Sequence, residues 1–433
     1  MRITWAARSR KTNSLQTDTF ETSSGGAQIR PRGFITLKQF GSTGAFVAAS
    51  VSLIAIYAAS ATPIPLYGLY RTADGLSYTE LSLSSVVYFV GAVSSLLFLG
   101  RLSNHFGRKI SAFLTLALMA VAALCFLNVH SATPLLIGRF LQGLSCGMAS
   151  TALAAWVVDN APARPSWIAP AILSCGPMTG LTIGGIISGT LVEFGSDPRV
   201  LPYLVITGVL AACVFLCFNS PETVNRKPGA LSSLKPQIGL PLPARRAFRI
   251  GVFTFVPTWA LGGFYQAFGP AMAMEYLHAS SALAAALVFA STMAPSPIGA
   301  SLAGRTSAAN AQRIGMVAFA LSVGTVVLTL SQGLLVPFLI ASICAGISQG
   351  SVLSSSIQSV MSKVTLEQRA NVLGLIYATS YTGAAVPTLI AGRLSESYSL
   401  VQVLVGYAGM ATIGCIAVLL FVRNTGADSS KAS

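Results

Sequence analysis

Only a few side chains within the long apolar stretches of this chain could do chemistry. Arg139, in LLIGRFLQGLSCG (135–147), is the one lysine or arginine lying well inside such a stretch. Gln142 and Gly143 follow at i+3 and i+4, so the guanidinium and the amide share a helical face. A charge placed in hydrocarbon must meet a cavity or a partner. Two roles fit it: a cavity cation tied to substrate or coupling, or a strut to the carbonyls of another helix. The acids offer no counterpart. None of the twelve Asp and Glu residues falls at the centre of an apolar stretch, and Glu80, Asp159, Glu193, Glu275 and Glu396 sit near the ends. No Gly-Lys pair occurs, which excludes a phosphate-cradling P-loop and an ATP-driven pump. His105, His130 and His278 lie at ends or in loops, and no Cys/His spacing suits a metal. No buried acid, base and nucleophile assemble as an enzyme would require. What remains are aromatic and amide groups able to line a cavity for a small molecule: Tyr57, Phe264, Tyr265, Gln266, Gln349, Tyr377 and Tyr381. For each of these, ordinary interhelical packing is the alternative.

The elements that position these groups follow from composition. Of 433 residues, 53% are hydrophobic and only 9% charged, with a mean hydropathy of +0.70. So few charges cannot cover a water-facing surface, where about 25% is usual. Apolar runs of the length that crosses about 30 Å of hydrocarbon recur at 46–66, 80–100, 110–128, 133–157, 168–192, 201–218, 250–273, 281–302, 313–331, 334–357, 370–392 and 400–422. This predicts an all-α integral membrane protein of twelve transmembrane helices. An even number places both termini on one side. Assigning that side to the cytoplasm puts 23 of the 27 Lys and Arg residues there, against only Arg71, Arg199 and Arg393 outside. Topology therefore accounts for the net charge of +15 without nucleic acid. All seven cysteines fall within predicted spans, as small packing residues rather than a disulfide frame. Residues 1–45 read as a disordered basic cytoplasmic tail without the apolar core of a cleaved secretory signal. Residues 423–433 read as a second tail.

Residues 219–249, NSPETVNRKPGALSSLKPQIGLPLPARRAFR, carry five prolines and read as a cytoplasmic linker between two six-helix halves, 46–218 and 250–422. A shift of about 203 residues lays one half on the other. TGLTIGGIISGTLVE (179–193) overlays TGAAVPTLIAGRLSE (382–396), matching Gly180 to Gly383, Gly189 to Gly392 and Glu193 to Glu396. Gly143 and Gly147 match Gly346 and Gly350 at the same offset. An even number of helices per half makes this a parallel repeat about an axis along the membrane normal, the arrangement of carriers that rock around a midplane site.

Three motifs carry a family resemblance. GRLSNHFGRK (100–109) resembles the loop signature between helices 2 and 3 of the major facilitator superfamily: Gly100, Leu102, Gly107, Arg108 and Lys109 match, beside Arg101. The motif's aspartate is replaced by Asn104, and its arginine by His105. The resemblance implies a loop that latches the halves in the outward-open state, with Asp159 as a second acidic partner. Without the charge at Asn104, worth about 0.3–1 kcal/mol at a helix terminus, a softer latch is expected. Arg139, Gln142 and Gly143, with Gly147 beyond, resemble the family's helix 4 motif. CGPMTGLTIGG (175–185) resembles the helix 5 motif associated chiefly with its exporters, Gly176, Pro177 and Gly180 matching and Gly184 extending the i, i+4, i+8 row. In lipid, helices associate through close backbone approach, so this row predicts a groove for a neighbouring helix, and Pro177 a bend. The end of the first span, TPIPLYGLY (62–70), resembles a group of bacterial members without fixing a substrate.

The resemblance and the residues together predict a monomeric multi-pass carrier of the bacterial inner membrane. It would move small amphiphilic compounds, neutral or weakly anionic, through proton-coupled export and with no bound cofactor. Import or facilitated passage of a metabolite is the alternative, since a midplane carboxylate for coupling is missing. A non-transporting membrane sensor would need a soluble domain that the basic tail is too short to supply.

Overall fold

The computed structural model describes residues 41–422, apart from 165–167, 226–227, 230–233, 235–238 and 366–367. The described chain lies within one compact unit, Gln39–Ser433. Among the described residues twelve helices are long and apolar enough to cross a bilayer. They are α1 (Ser42–Asp74), α2 (Tyr78–Leu99), α3 (Arg108–Phe126), α4 (Ala132–Asp159), α5 (Ile168–Phe194), α6 (Leu201–Phe218), α7 (Leu242–Tyr276), α8 (Ala282–Ala303), α9 (Ala308–Ser331), α10 (Leu335–Met361), α11 (Asn371–Leu394) and α12 (Leu400–Phe421). Their starts carry the expected chemistry. Ser77 and Glu80 form a reciprocal capping box at α2, and Ser399 and Gln402 form another at α12. The end of the molecule where α1 begins is the near end, and the opposite is the far end.

Several helix boundaries differ from the sequence expectation. Residues 42–45, assigned to the disordered tail, are helical, and α1 continues beyond residue 66 to Asp74 through a 3₁₀ turn at Ile64–Leu66. Residues 242–249, assigned to the linker, form the first turns of α7. Arg245, Arg246 and Arg249 suggest a loop only if helices stop at the edge of hydrocarbon, and α7 does not. Residues 1–40 of the first tail and residues 423–433 lie outside the described residues.

Glycine sets how the helices pack, and it does so twice. A Cβ on Gly147 would lie 2.6 Å from Ser95 Cβ of α2, and one on Gly143 would strike the Tyr88 carbonyl. The matched Gly346 and Gly350 press α10 onto α8 in the same way, meeting Thr292 and Ser296. Gly180 and Gly184 lay α5 on α1, where a Cβ would run into the carbonyls of Ile54 and Ala58; Gly383 lays α11 on α7, 2.9 Å from Val256 Cα. The groove foreseen along α5 thus receives a helix of its own half. Gly176 takes little part, since its nearest neighbour, Ile54 Cγ1, is 3.5 Å away.

Candidate functional site

Between the halves lies a cavity of about 480 Å³, within the range of small-molecule sites. Tyr57, Gln266, Gln349, Tyr377 and Tyr381 line it, as the sequence reading expects. So do residues that reading passed over: Tyr88, Phe89, Met178, Trp259, Phe289 and Met293. Trp259 stands edge-on to Tyr381 at 4.7 Å and to Tyr377 at 6.3 Å, and Phe89 of the other half meets Tyr381 at 5.9 Å. Trp259 was findable, because it precedes Gln266 by seven residues and shares its helical face. Phe264 and Tyr265 do not line the cavity. Phe264 packs between Phe268 and Tyr407, and the Tyr265 hydroxyl bonds Ser342 Oγ at 2.6 Å. They point away because successive helical residues are turned by about 100°. No lysine, arginine, histidine or acid is among the described lining residues.

Arg139 and Gln142 sit behind this wall, fully buried. Their role begins at Pro63, which has no N–H to give the Ala59 carbonyl and breaks α1 there. Gln142 Nε2 donates to Ala59 O at 2.9 Å and Arg139 Nη1 donates to Ser60 O at 3.0 Å and to Gln142 Oε1 at 2.9 Å. From α5, Ser188 Oγ donates to Thr62 O at 2.6 Å. Three carbonyls at the break are thereby satisfied by side chains from two other helices, as lipid-embedded backbone requires. The strut role is the one this geometry fits. Arg139 Nε and Nη2 remain without hydrogen-bond partners, and the guanidinium carbon lies 4.6 Å above the Tyr88 ring. Tyr88 also lines the cavity.

The cavity is closed at the far end and reaches toward the near end, where Ala154, Pro170, Ala300, Ile357 and Leu373 line it. The far-end closure is built from the repeat. A Cβ on Gly189 of α5 would lie 2.6 Å from Ala286 Cβ of α8; its match Gly392, on α11, presses against Ser82 of α2. Glu193 accepts a hydrogen bond from Ala282 N at the start of α8 (2.8 Å), and its match Glu396 accepts one from Thr79 Oγ1 at the start of α2. Arg71 of α1 pairs with Glu275 of α7 and bonds Tyr78 Oη at 2.8 Å, adding a third link between halves.

At the near end Arg108 and Lys109, in the loop between α2 and α3, bond to their own half and to the segment after α6. Gly107 has φ +99°, which only glycine adopts readily. Arg108 donates to Asp159 Oδ2 (2.9 Å), Asn104 Oδ1 (2.8 Å) and Ser103 Oγ (2.7 Å). Asn104 thus keeps an acceptor's role without the charge. That charge comes instead from Glu222, unforeseen in the sequence, whose carboxylate takes the backbone N–H groups of Arg108 (2.8 Å) and Lys109 (2.9 Å) and caps α3. Lys109 Nζ donates to the Phe218 carbonyl at 2.6 Å, tying α3 to the end of α6. Gly100 packs on the last turn of α2, and Arg101 follows it. Among the described residues no cluster of His, Cys, Asp and Glu could hold a metal ion.

A family model described as Major Facilitator Superfamily matches residues 49–386. The chain belongs to the major facilitator superfamily. Its fold is that of this superfamily's solved carriers: it matches the nucleoside transporter NupG with a TM-score of 0.66 at 13% identity, covering 88% of this chain and 100% of that one. The xylose transporter XylE from E. coli, in a partially occluded inward open conformation, gives a TM-score of 0.65 at 13% identity, covering 88% and 100%. A POT family transporter in complex with 5-aminolevulinic acid gives 0.69 at 13%, covering 90% and 97%. Among curated relatives, the multidrug resistance protein MdtL of Klebsiella pneumoniae is 36% identical over 104 residues, 24% of this chain and 26% of that protein. MdtL of Escherichia coli is 35% identical over a stretch of the same length, again covering 24% and 26%. The match thus spans about a quarter of the length of those relatives. This superfamily member is a multi-pass membrane transporter with twelve apolar helices.

Proposed function

We propose that this carrier exports small amphiphilic compounds, uncharged or weakly anionic, across a bacterial inner membrane in exchange for protons. The observation that carries the reading is the aromatic cavity between the halves, whose described wall holds no charge. An organic cation placed there would lose its hydration with no counter-ion, and Arg139 behind Tyr88 adds like-charge repulsion. A neutral aromatic compound loses far less and stacks on Trp259 and Tyr381. The glycine-proline row in α5 and the partial likeness to multidrug resistance proteins support the outward direction.

The basic residues support placing the near end in the cytoplasm. On that assignment the cavity opens inward, ready to load from the cytoplasm, and the three far-end links close the outer face. Rocking the halves about the cavity would open that face and release the substrate, one copy of the chain being enough. Proton coupling rests on the family resemblance, and its carrier is sought among the far-end carboxylates rather than at the midplane. The test is accumulation of matched neutral, anionic and cationic fluorescent compounds in cells with and without the gene, each repeated with a protonophore. Export predicts higher accumulation of the neutral and anionic probes without the gene, and loss of that difference with the protonophore. Lower accumulation without the gene would mean import, and a preference for lipophilic cations would overturn the charge argument.

A further inference from the structure

The near end of α7 carries two arginines where a lipid-facing helix should carry apolar residues. Leu242, Arg246, Arg249 and Phe253 follow at spacings of four, three and four, so they share one face. All four are exposed, Leu242 at 74% and Phe253 at 41%. The arginines therefore interrupt an apolar stripe rather than a water-facing one. The neighbouring helix agrees on the level. Gly414 of α12 packs on the Phe253 carbonyl and on Pro257. The two helices run antiparallel, which brings the exposed Leu420 and Phe421 of α12 beside the turn holding Arg246 and Arg249. No acidic residue occupies the first turn of α7, and neither arginine has a hydrogen-bond or ion-pair partner among the described residues. Among the described residues, neither guanidinium group thus meets a counter-charge, and both stand level with the exposed apolar end of α12.

We propose that Arg246 and Arg249 bind the phosphate of an anionic phospholipid, whose acyl chains lie against Phe253 and Leu420. Guanidinium groups match phosphate oxygens in paired hydrogen bonds and carry weaker hydration than ammonium groups. Their aliphatic stems cover apolar surface while the heads reach the interface. A free phosphate would gain the charge contacts alone, whereas a lipid gains those and the apolar stripe. The occupant is therefore a lipid. Such a lipid clamps the end of α7 from which the linker emerges, independently of what the central cavity carries.

The full chain, purified in detergent, is titrated with phosphatidylglycerol or phosphatidylcholine and the bound lipid is counted by native mass spectrometry. Each arginine near an anionic interface contributes about fivefold in affinity. The Arg246→Gln/Arg249→Gln variant should therefore bind phosphatidylglycerol roughly 25-fold more weakly, with phosphatidylcholine unchanged. Arg305→Gln/Lys363→Gln removes two other exposed near-end charges and should leave the affinity as it is. Equal loss in that control pair, wild-type affinity in the Arg246/Arg249 variant, or displacement of the lipid by equimolar inorganic phosphate would each overturn the assignment. Helical circular dichroism of every variant should match wild type, since the substituted side chains touch no described partner.

Discussion

On the proposed orientation, with the near end in the cytoplasm, replacing Gly189 by leucine should tilt this carrier toward its outward-facing state. A Cβ at Gly189 would sit 2.6 Å from Ala286 Cβ, 3.0 Å from the Ala282 carbonyl oxygen and 3.3 Å from Leu283 Cα. Carbon atoms rest at about 3.5–4.0 Å, so α5 and α8 must part by roughly an ångström, and a whole leucine asks for more. Overpacking costs typically run to about 1–3 kcal/mol. The cost falls on the closed far end alone, because α5 and α8 separate there when the outer face opens. At about 1.4 kcal/mol per factor of ten, the inward-to-outward ratio should fall by roughly 5- to 150-fold. Spin labels at Ser196→Cys and Ser280→Cys, in a background without the native cysteines, report the opening by pulsed electron resonance. The leucine variant should shift the distance distribution to longer values, and Gly189→Ala should shift it less. An unchanged distribution in a well-folded Gly189→Leu protein, with wild-type transport, would show that this contact does not hold the outer face shut.

Gly180→Leu should behave differently, since Gly180 packs on α1 of its own half: a lower melting temperature, weakened transport and no change in the far-end label distance. Arg139→Leu strips a donor from the Ser60 carbonyl and leaves Gln142 Oε1 without its donor. Unsatisfied buried groups cost about 1–3 kcal/mol each, so thermal unfolding should come several degrees earlier, whereas a purely substrate-binding arginine would leave melting of the empty carrier unchanged. Trp259→Ala should weaken binding of neutral aromatic compounds by about 1–2 kcal/mol, roughly 5- to 30-fold by equilibrium titration, and equal affinity would remove Trp259 from the site. Glu222→Ala uncaps α3 and should cost about 0.5–2 kcal/mol, read as a lower melting temperature that Glu222→Asp partly restores.

The twelve helices were legible because a bilayer demands a length and a polarity that few other constraints obscure. Where the chain leaves the hydrocarbon that rule falls silent, which is why the first turns of α7 and the extension of α1 past residue 66 were not foreseen. Spacing told which residues of α5 share a face, but not which helix would meet it. Gly180 and Gly184 met α1, while the closure between halves fell to Gly189, one of the residues the internal repeat had already paired with Gly392. Residue type alone named Phe264, Tyr265 and Gln266 for the cavity, and the turn of the helix kept Gln266 there, added Trp259 and turned the other two away. Glu222 could not be read as a cap because its partner helix begins 114 positions earlier in the chain.

The uncharged wall of the cavity has a consequence for energetics at the level of the whole cell. A membrane potential acts only on charges displaced through its field, at about 2.3 kcal/mol per elementary charge for each 100 mV. The described lining residues offer it none to move, and a neutral substrate adds none. On the proposed exchange for protons, the charge carried across the field with a neutral substrate is that of those protons. The current measured per molecule exported would count those protons directly, so stoichiometry becomes readable from electrical recording on proteoliposomes.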